Sequence, residues 1–140
     1  MRFQKWERKG GKFMPTIAVC KTFAFSAAHF LPEYCGACKD LHGHNWKLEV
    51  GITGPVNENG FVLDFKELKS LINTTIINRI DHKCLNELVI ANFPSKNPTA
   101  ENMLLWMAEV IKTRLMDSFY NLAFLKLWET DTSYAEWRNE

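Results

Sequence analysis

The seven residues Cys38-Lys39-Asp40-Leu41-His42-Gly43-His44 put a thiol, a carboxylate, two imidazoles and a glycine side by side. Residues two apart in a strand share a face, so if the strand begins at the histidines, His42 and His44 can reach one metal ion from the same side. Gly43 lets the backbone bend or approach closely without a Cβ clash. Upstream, His29 closes the segment Phe25-Ser26-Ala27-Ala28-His29 and can supply a third nitrogen. Three neutral imidazoles leave one position of a tetrahedral zinc open, which is the arrangement of a catalytic rather than a structural site. A His-x-His pair is a modest signal by itself. The chain, however, holds only four histidines: His29, His42, His44 and His82. Three surround this loop and the fourth follows Asp81, so none reads as surface filler.

Other chemistries compete for the same residues. Cys35-x-x-Cys38 ahead of two histidines suggests a zinc finger, but fingers space their histidines by three to five residues. As a redox pair it lacks the strand and helix context of thioredoxin-like motifs. Cys38 alone fits a different role. A thiol near a dication and a second basic group has its pKa lowered, giving a thiolate that can take a proton. Asp81-His82 can supply the partner, the carboxylate orienting the imidazole. Taken alone, the same two residues are better read as a histidine closing a helix C-terminus, held by a local aspartate, because cations near helix ends are common for stability reasons. Glu129 shares parity with Leu125 and Leu127, an acid at the end of an apolar strand face. It is either a solvated strand end or a carboxylate receiving paired N–H donors from an amidine-like heterocycle.

The elements that position these groups are legible from periodicity. Ile17, Val19, Phe23 and Phe25 share one parity, a strand with one apolar face. Lys21 interrupts it, which predicts less burial at the end toward the histidine. Residues 30–41 hold Pro32 and Gly36 and read as a loop. Trp46, Leu48, Val50 and Ile52 alternate with polar or small residues as a second strand. Asp64 with Glu67 resembles a capping box ahead of Phe65, Leu68, Leu71, Ile72, Thr75, Ile76 and Ile80, an amphipathic helix over 65 to about 79. Asn97-Pro98-Thr99 opens a second helix, with proline suited to its first turn. Residues 122–130 and 133–137 complete a ββααββ order. Two helices on one face of a mainly antiparallel four-stranded sheet satisfy the burial demands of both layers, an α+β fold.

The chain has 140 residues, enough for one domain with a core of its own. A net charge of +1 argues against broad electrostatic capture of nucleic acid or anionic membrane. No apolar run approaches the about 18 residues of a membrane span. Residues 1–12 are basic and lack the apolar core of a signal peptide, so the four cysteines read as thiols in a reducing, cytoplasmic setting. Residues 1–15 read as a flexible leader dispensable to the fold, and 16–140 as a single domain.

Taken together, Phe25-Ser-Ala-Ala-His29, Cys38-x-x-x-His42-Gly-His44, Leu63-Asp-Phe65 with Leu68-Lys69, Asp81-His82, Asn97-Pro-Thr-x-Glu101 and Glu129-Thr130 resemble the 6-pyruvoyltetrahydropterin synthase superfamily. The motifs match in order over about residues 16–137. The three residues between Cys38 and His42 place the resemblance nearest the branch that makes 6-carboxytetrahydropterin for queuosine. Pyruvoyl-forming relatives typically have five. The resemblance implies a tunnelling (T-) fold, a homo-oligomer joined through its sheets, expected to be a hexamer, and active sites at subunit interfaces. It implies one Zn2+ per subunit on His29, His42 and His44, Cys38 as proton acceptor, Asp81 and His82 as its relay, and Glu129 as pterin anchor and member of the relay. Thr99 and Glu101 match a motif beside the site without an assigned role. The implied reaction is that of a zinc-dependent carbon–oxygen lyase on 7,8-dihydroneopterin triphosphate, a small-molecule substrate. Pyruvoyl-forming synthase activity and a non-catalytic zinc or pterin-binding module are the alternatives. Phe30, where relatives often carry arginine, and the additional thiol of Cys35 depart from the pattern.

Overall fold

The computed structural model describes residues 16–88 and 97–140. The leader expected over 1–15 lies outside the described residues. Strands β1 (Ile17–His29) and β2 (His42–Gly54) flank the loop 30–41 and pair antiparallel, from Ile17 opposite Gly54 to His29 opposite His42. Alternation puts Phe23, Phe25, Ala27 and His29 on one face with His42, His44, Trp46, Leu48, Val50 and Ile52. Of these only His42 and His44 escape full burial. Burial along β1 runs opposite to expectation: Lys21 belongs to the exposed end, and cover deepens toward His29.

Strand β3 (Lys83–Cys84) runs parallel to β1 at Ala27 and Ala28. Strand β4 (Asn121–Thr130) pairs antiparallel with β2, and β5 (Ser133–Arg138) with β4. The order is β3-β1-β2-β4-β5. The sheet is therefore five-stranded and mixed, not four-stranded and antiparallel. A strand of two residues cannot display an alternating pattern. Its position is set instead by long-range bonds such as His82 N–H to the Ser26 carbonyl, 2.7 Å.

Both helical segments lie over the apolar face, as burial required. Helix α1 (Phe65–Ile72) runs through a π-helical turn (Asn73–Ile77) into α2 (Asn78–Ile80). Asp64 caps it by accepting the Lys66 N–H at 2.7 Å. The buried residues are Leu68, Ile72, Ile76, Ile77 and Ile80, while Phe65 is exposed. In a plain α-helix a four-residue step overshoots a full turn by about 40°. The wider π turn takes that drift back and keeps one face on the sheet. Helix α3 (Ala100–Leu115) is capped by Thr99, whose side chain accepts the Asn102 N–H at 3.2 Å. Pro98 thus lies ahead of the cap rather than in the first turn, which releases its carbonyl for another use. No helix among the described residues is long and apolar enough to cross a membrane.

Candidate active site

The β1–β2 register sets His29 opposite His42, and His44 follows on the same face. Ring centroids lie 4.6 Å apart for His29–His42, 4.8 Å for His42–His44 and 5.2 Å for His29–His44. Glu129 reaches them from β4, where the pairing with β5 slips between Trp128 and Thr130. A bulge of this kind re-aims a side chain. Four candidate ligand atoms, one each from His29, His42, His44 and Glu129, all lie within 4.8 Å of one another.

Backbone carbonyls set the rings. His29 Nδ1 lies 2.9 Å from the Pro98 carbonyl and His42 Nδ1 lies 2.7 Å from that of Asp40. A carbonyl only accepts, so each Nδ1 carries the proton and Nε2 keeps its lone pair. Nε2 of both His29 and His44 is buried without a hydrogen-bond partner. Glu129 Oε1 approaches these atoms, at 3.1 and 3.4 Å, without hydrogen-bonding geometry. Buried orphan nitrogens are rare and need an explanation. A dication held by the Nε2 atoms supplies one, and the donor set suits zinc. Burial pushes the His44 pKa down, and His29 and His42 reinforce this against the pull of Glu129. The ring stays neutral, as metal ligation requires. Trp46 closes the site from below, its indole edge-on to His29 and His44 at 5.3 and 5.5 Å. Its Nε1–H donates to the Ala27 carbonyl at 3.3 Å.

Asp81 ends the helical segment, but it does more than close it. Its Oδ1 accepts the Ser26 N–H at 3.0 Å and lies 2.9 Å from His82 Nδ1. These contacts, the Ser26 N–H foremost, hold its carboxyl below the usual range. His82 sits in the left-handed region at φ 58° with 81% of its side chain exposed. It shares with His44 a cleft of about 490 Å³ that Ser26, Gly43, Asn45, Lys83 and Cys84 also line.

Cys38 is half-buried on a 3-10 turn (Ala37–Lys39), and Cys35 is an exposed free thiol. Among the described residues, the side-chain bonds of Asp81 and His82 go to Ser26 and to each other, not to Cys38. The fold therefore brings the three histidines and Glu129 together, sets His82 on the adjoining cleft, and leaves Cys38 in the loop between two of the histidines. Sequence reasoning missed the carbonyls of Pro98 and Asp40 and the floor formed by Trp46. A carbonyl leaves no trace in residue identity, whereas Trp46 was legible two positions after His44 on the same face.

The chain is similar to known proteins over most of its length. The pattern of the 6-pyruvoyl tetrahydropterin synthase family matches residues 18–140. A 6-carboxy-5,6,7,8-tetrahydropterin synthase from Haemophilus influenzae is 33% identical over 141 aligned positions, covering 86% of this chain and 97% of the relative. A dihydroneopterin monophosphate aldolase from Pyrococcus furiosus is 35% identical over 108, covering 76% and 83%. The solved structure of the Caenorhabditis elegans 6-pyruvoyl tetrahydropterin synthase superposes with a TM-score of 0.77 at 27% identity, covering 91% of this chain and 98% of that one. The fold is that of these synthases, and the chain belongs to the 6-pyruvoyl tetrahydropterin synthase family.

Proposed function

We propose that this chain is a zinc-dependent carbon–oxygen lyase converting 7,8-dihydroneopterin triphosphate to 6-carboxy-5,6,7,8-tetrahydropterin, acetaldehyde and triphosphate, a step toward queuosine. The observation that carries the reading is the convergence of three imidazoles and Glu129 within 4.8 Å at the mouth of the hairpin. The three-residue spacing from Cys38 to His42 favours the carboxy product over the pyruvoyl one.

His29, His42 and His44 would hold the metal. Zinc, when bound, supplies the Lewis acidity that polarises side-chain oxygens of the substrate. Glu129, 34% exposed at the end of its strand, is free to turn from the imidazoles and receive the paired N–H donors of the pterin edge. Cys38, as thiolate, accepts and returns protons at the substrate side chain. Asp81 takes the His82 Nδ1–H, which leaves His82 Nε2 facing the cleft as the group that exchanges protons with solvent and thiol. Among the described residues the side-chain bonds of Asp81 and His82 go to Ser26 and to each other, and in this reading the relay to Cys38 is completed across a subunit interface. Sheet edges support such assembly: among the described residues, β1 has a strand partner on its outer side only at Ala27 and Ala28. Among the described residues β5 is the other edge of the sheet. Joined edges give the homo-oligomer, a hexamer in this reading.

The test is incubation of zinc-loaded protein with 7,8-dihydroneopterin triphosphate and identification of the products by mass spectrometry. The expected result is a carboxylated tetrahydropterin with acetaldehyde, abolished in Cys38→Ala and retained in Cys35→Ala. A pyruvoyl product, an aldol-cleavage product, or tight binding without turnover would each overturn the reading.

A further inference from the structure

Strand β3 stops pairing with β1 at Ala28, one residue before the histidine. The ladder therefore offers no partner to the peptide groups of Phe30, which follows His29 directly. Asn86, in the 3-10 turn Leu85–Glu87, takes the place of the missing strand. Phe30 N–H donates to Asn86 Oδ1 at 2.9 Å, and Asn86 Nδ2 donates to the Phe30 carbonyl at 2.8 Å. A carboxamide carries an acceptor and a donor on one planar end, which is what the N–H and carbonyl of one residue require.

The consequence follows from which peptide units are clamped. The Phe30 N–H belongs to the peptide that leaves His29, so Asn86 sets the backbone torsion that aims the His29 ring. The Phe30 carbonyl belongs to the next peptide unit, whose own N–H, on Leu31, donates to the Cys38 carbonyl at 2.8 Å. One carboxamide thus holds the backbone on both sides of the site, at the first histidine and at the base of the loop that carries the thiol.

We propose that Asn86 is a positioning residue that holds His29 in its metal-binding geometry and Cys38 at a defined distance from it. The proposal rests on the reading of the histidines as metal ligands. With the Pro98 carbonyl on Nδ1 and the Asn86 clamp on the following peptide, His29 is fixed at ring and backbone. Asn86→Asp keeps the acceptor for Phe30 N–H but loses the donor, and it sets a carboxylate against the Phe30 carbonyl.

The test is titration of metal-free wild-type, Asn86→Ala and Asn86→Asp protein with Co2+, followed by visible absorption. Each titration is paired with the rate of Cys38 alkylation by iodoacetamide in a Cys35→Ala background. Circular dichroism and thermal melts report whether each variant folds, and Asn86→Asp decides the question if Asn86→Ala does not. The expected result is a loss of about 10–100-fold in Co2+ affinity, the usual effect of removing an outer-shell partner. It comes with a changed Co2+ spectrum and an altered Cys38 alkylation rate in a folded variant. Wild-type affinity, spectrum and alkylation rate in a folded variant would overturn the role of Asn86. Failure of the wild type to bind Co2+ would overturn the metal reading itself, and the two failures are distinguishable without any substrate.

Discussion

Stripping the metal from the folded protein is expected to lower its melting temperature by about 10 °C, and His29→Ala is expected to abolish most of that difference. The size follows from the site. His29 Nε2 and His44 Nε2 are buried with no hydrogen-bond partner. Leaving a buried acceptor unsatisfied costs about 1–3 kcal/mol, so the two atoms together disfavour the metal-free fold by about 2–6 kcal/mol. A ligand at 100 times its dissociation constant stabilises the folded state by about 2.7 kcal/mol. For a domain of this length each kcal/mol moves the melting temperature by about 4 °C, which gives the expected 10 °C. The assay is differential scanning calorimetry of zinc-loaded and chelated protein at pH 7, repeated on His29→Ala and His82→Ala. Removing His29 deletes one of the three proposed ligand nitrogens, so zinc should then raise the melting temperature by no more than about a third as much. His82→Ala should keep the full zinc increment, because His82 Nδ1 is committed to Asp81 and its side chain points to solvent. An undiminished increment in His29→Ala, or none in the wild type at saturating zinc, would refute the reasoning.

Asp81→Asn tests the tie between the helix end and β1. The folded pKa of Asp81 is lowered, so its contribution is present above the ordinary carboxylate range and lost as pH falls through the folded value. Denaturant titrations should show a stability gap between wild type and variant at pH 7 that narrows below about pH 4. His82 occupies the left-handed region, so His82→Gly should be more stable than His82→Ala by about 1 kcal/mol, with both variants equally inactive. Equal stabilities in urea would contradict the strain. On the sheet face opposite Val50 and Ile52, a Cβ at Gly51 would overlap Phe124 Cε1. Gly51→Ala should therefore destabilise by about 1–3 kcal/mol, read from the chemical denaturation midpoint, unless the Phe124 ring can leave. Double substitution with Phe124→Leu should recover most of the loss.

Much of this protein is written locally. The alternation from Ile17 to Phe25 and from Trp46 to Ile52 specifies two strands, because a half-buried sheet demands a period of two. The helical spacing from Leu68 to Ile80 and from Met103 to Leu115 specifies what covers them. The types and spacing of His29, His42 and His44 make them candidate metal ligands, since alternation sets His42 and His44 on one strand face. Tertiary structure decides what depends on groups without a local signature. The parallel strand Lys83–Cys84 is too short to have a pattern, and only its bonds to β1 make the sheet five-stranded and mixed. Asp64 announces its helix start, but Thr99 rather than Asn97 caps α3, and the position of Pro98 one residue ahead of that cap matters only because His29 arrives beneath it. The π turn at Asn73–Ile77 buries Ile77, which the 3.6-residue period leaves out. Asp81-His82 reads from the chain alone either as a helix end or as a carboxylate–imidazole pair, and becomes an anchored pair only where Ser26 presents its peptide groups. Residue types specify which chemistry is possible. Register, bulges and backbone carbonyls, all products of long-range pairing, decide which atoms face one another to perform it.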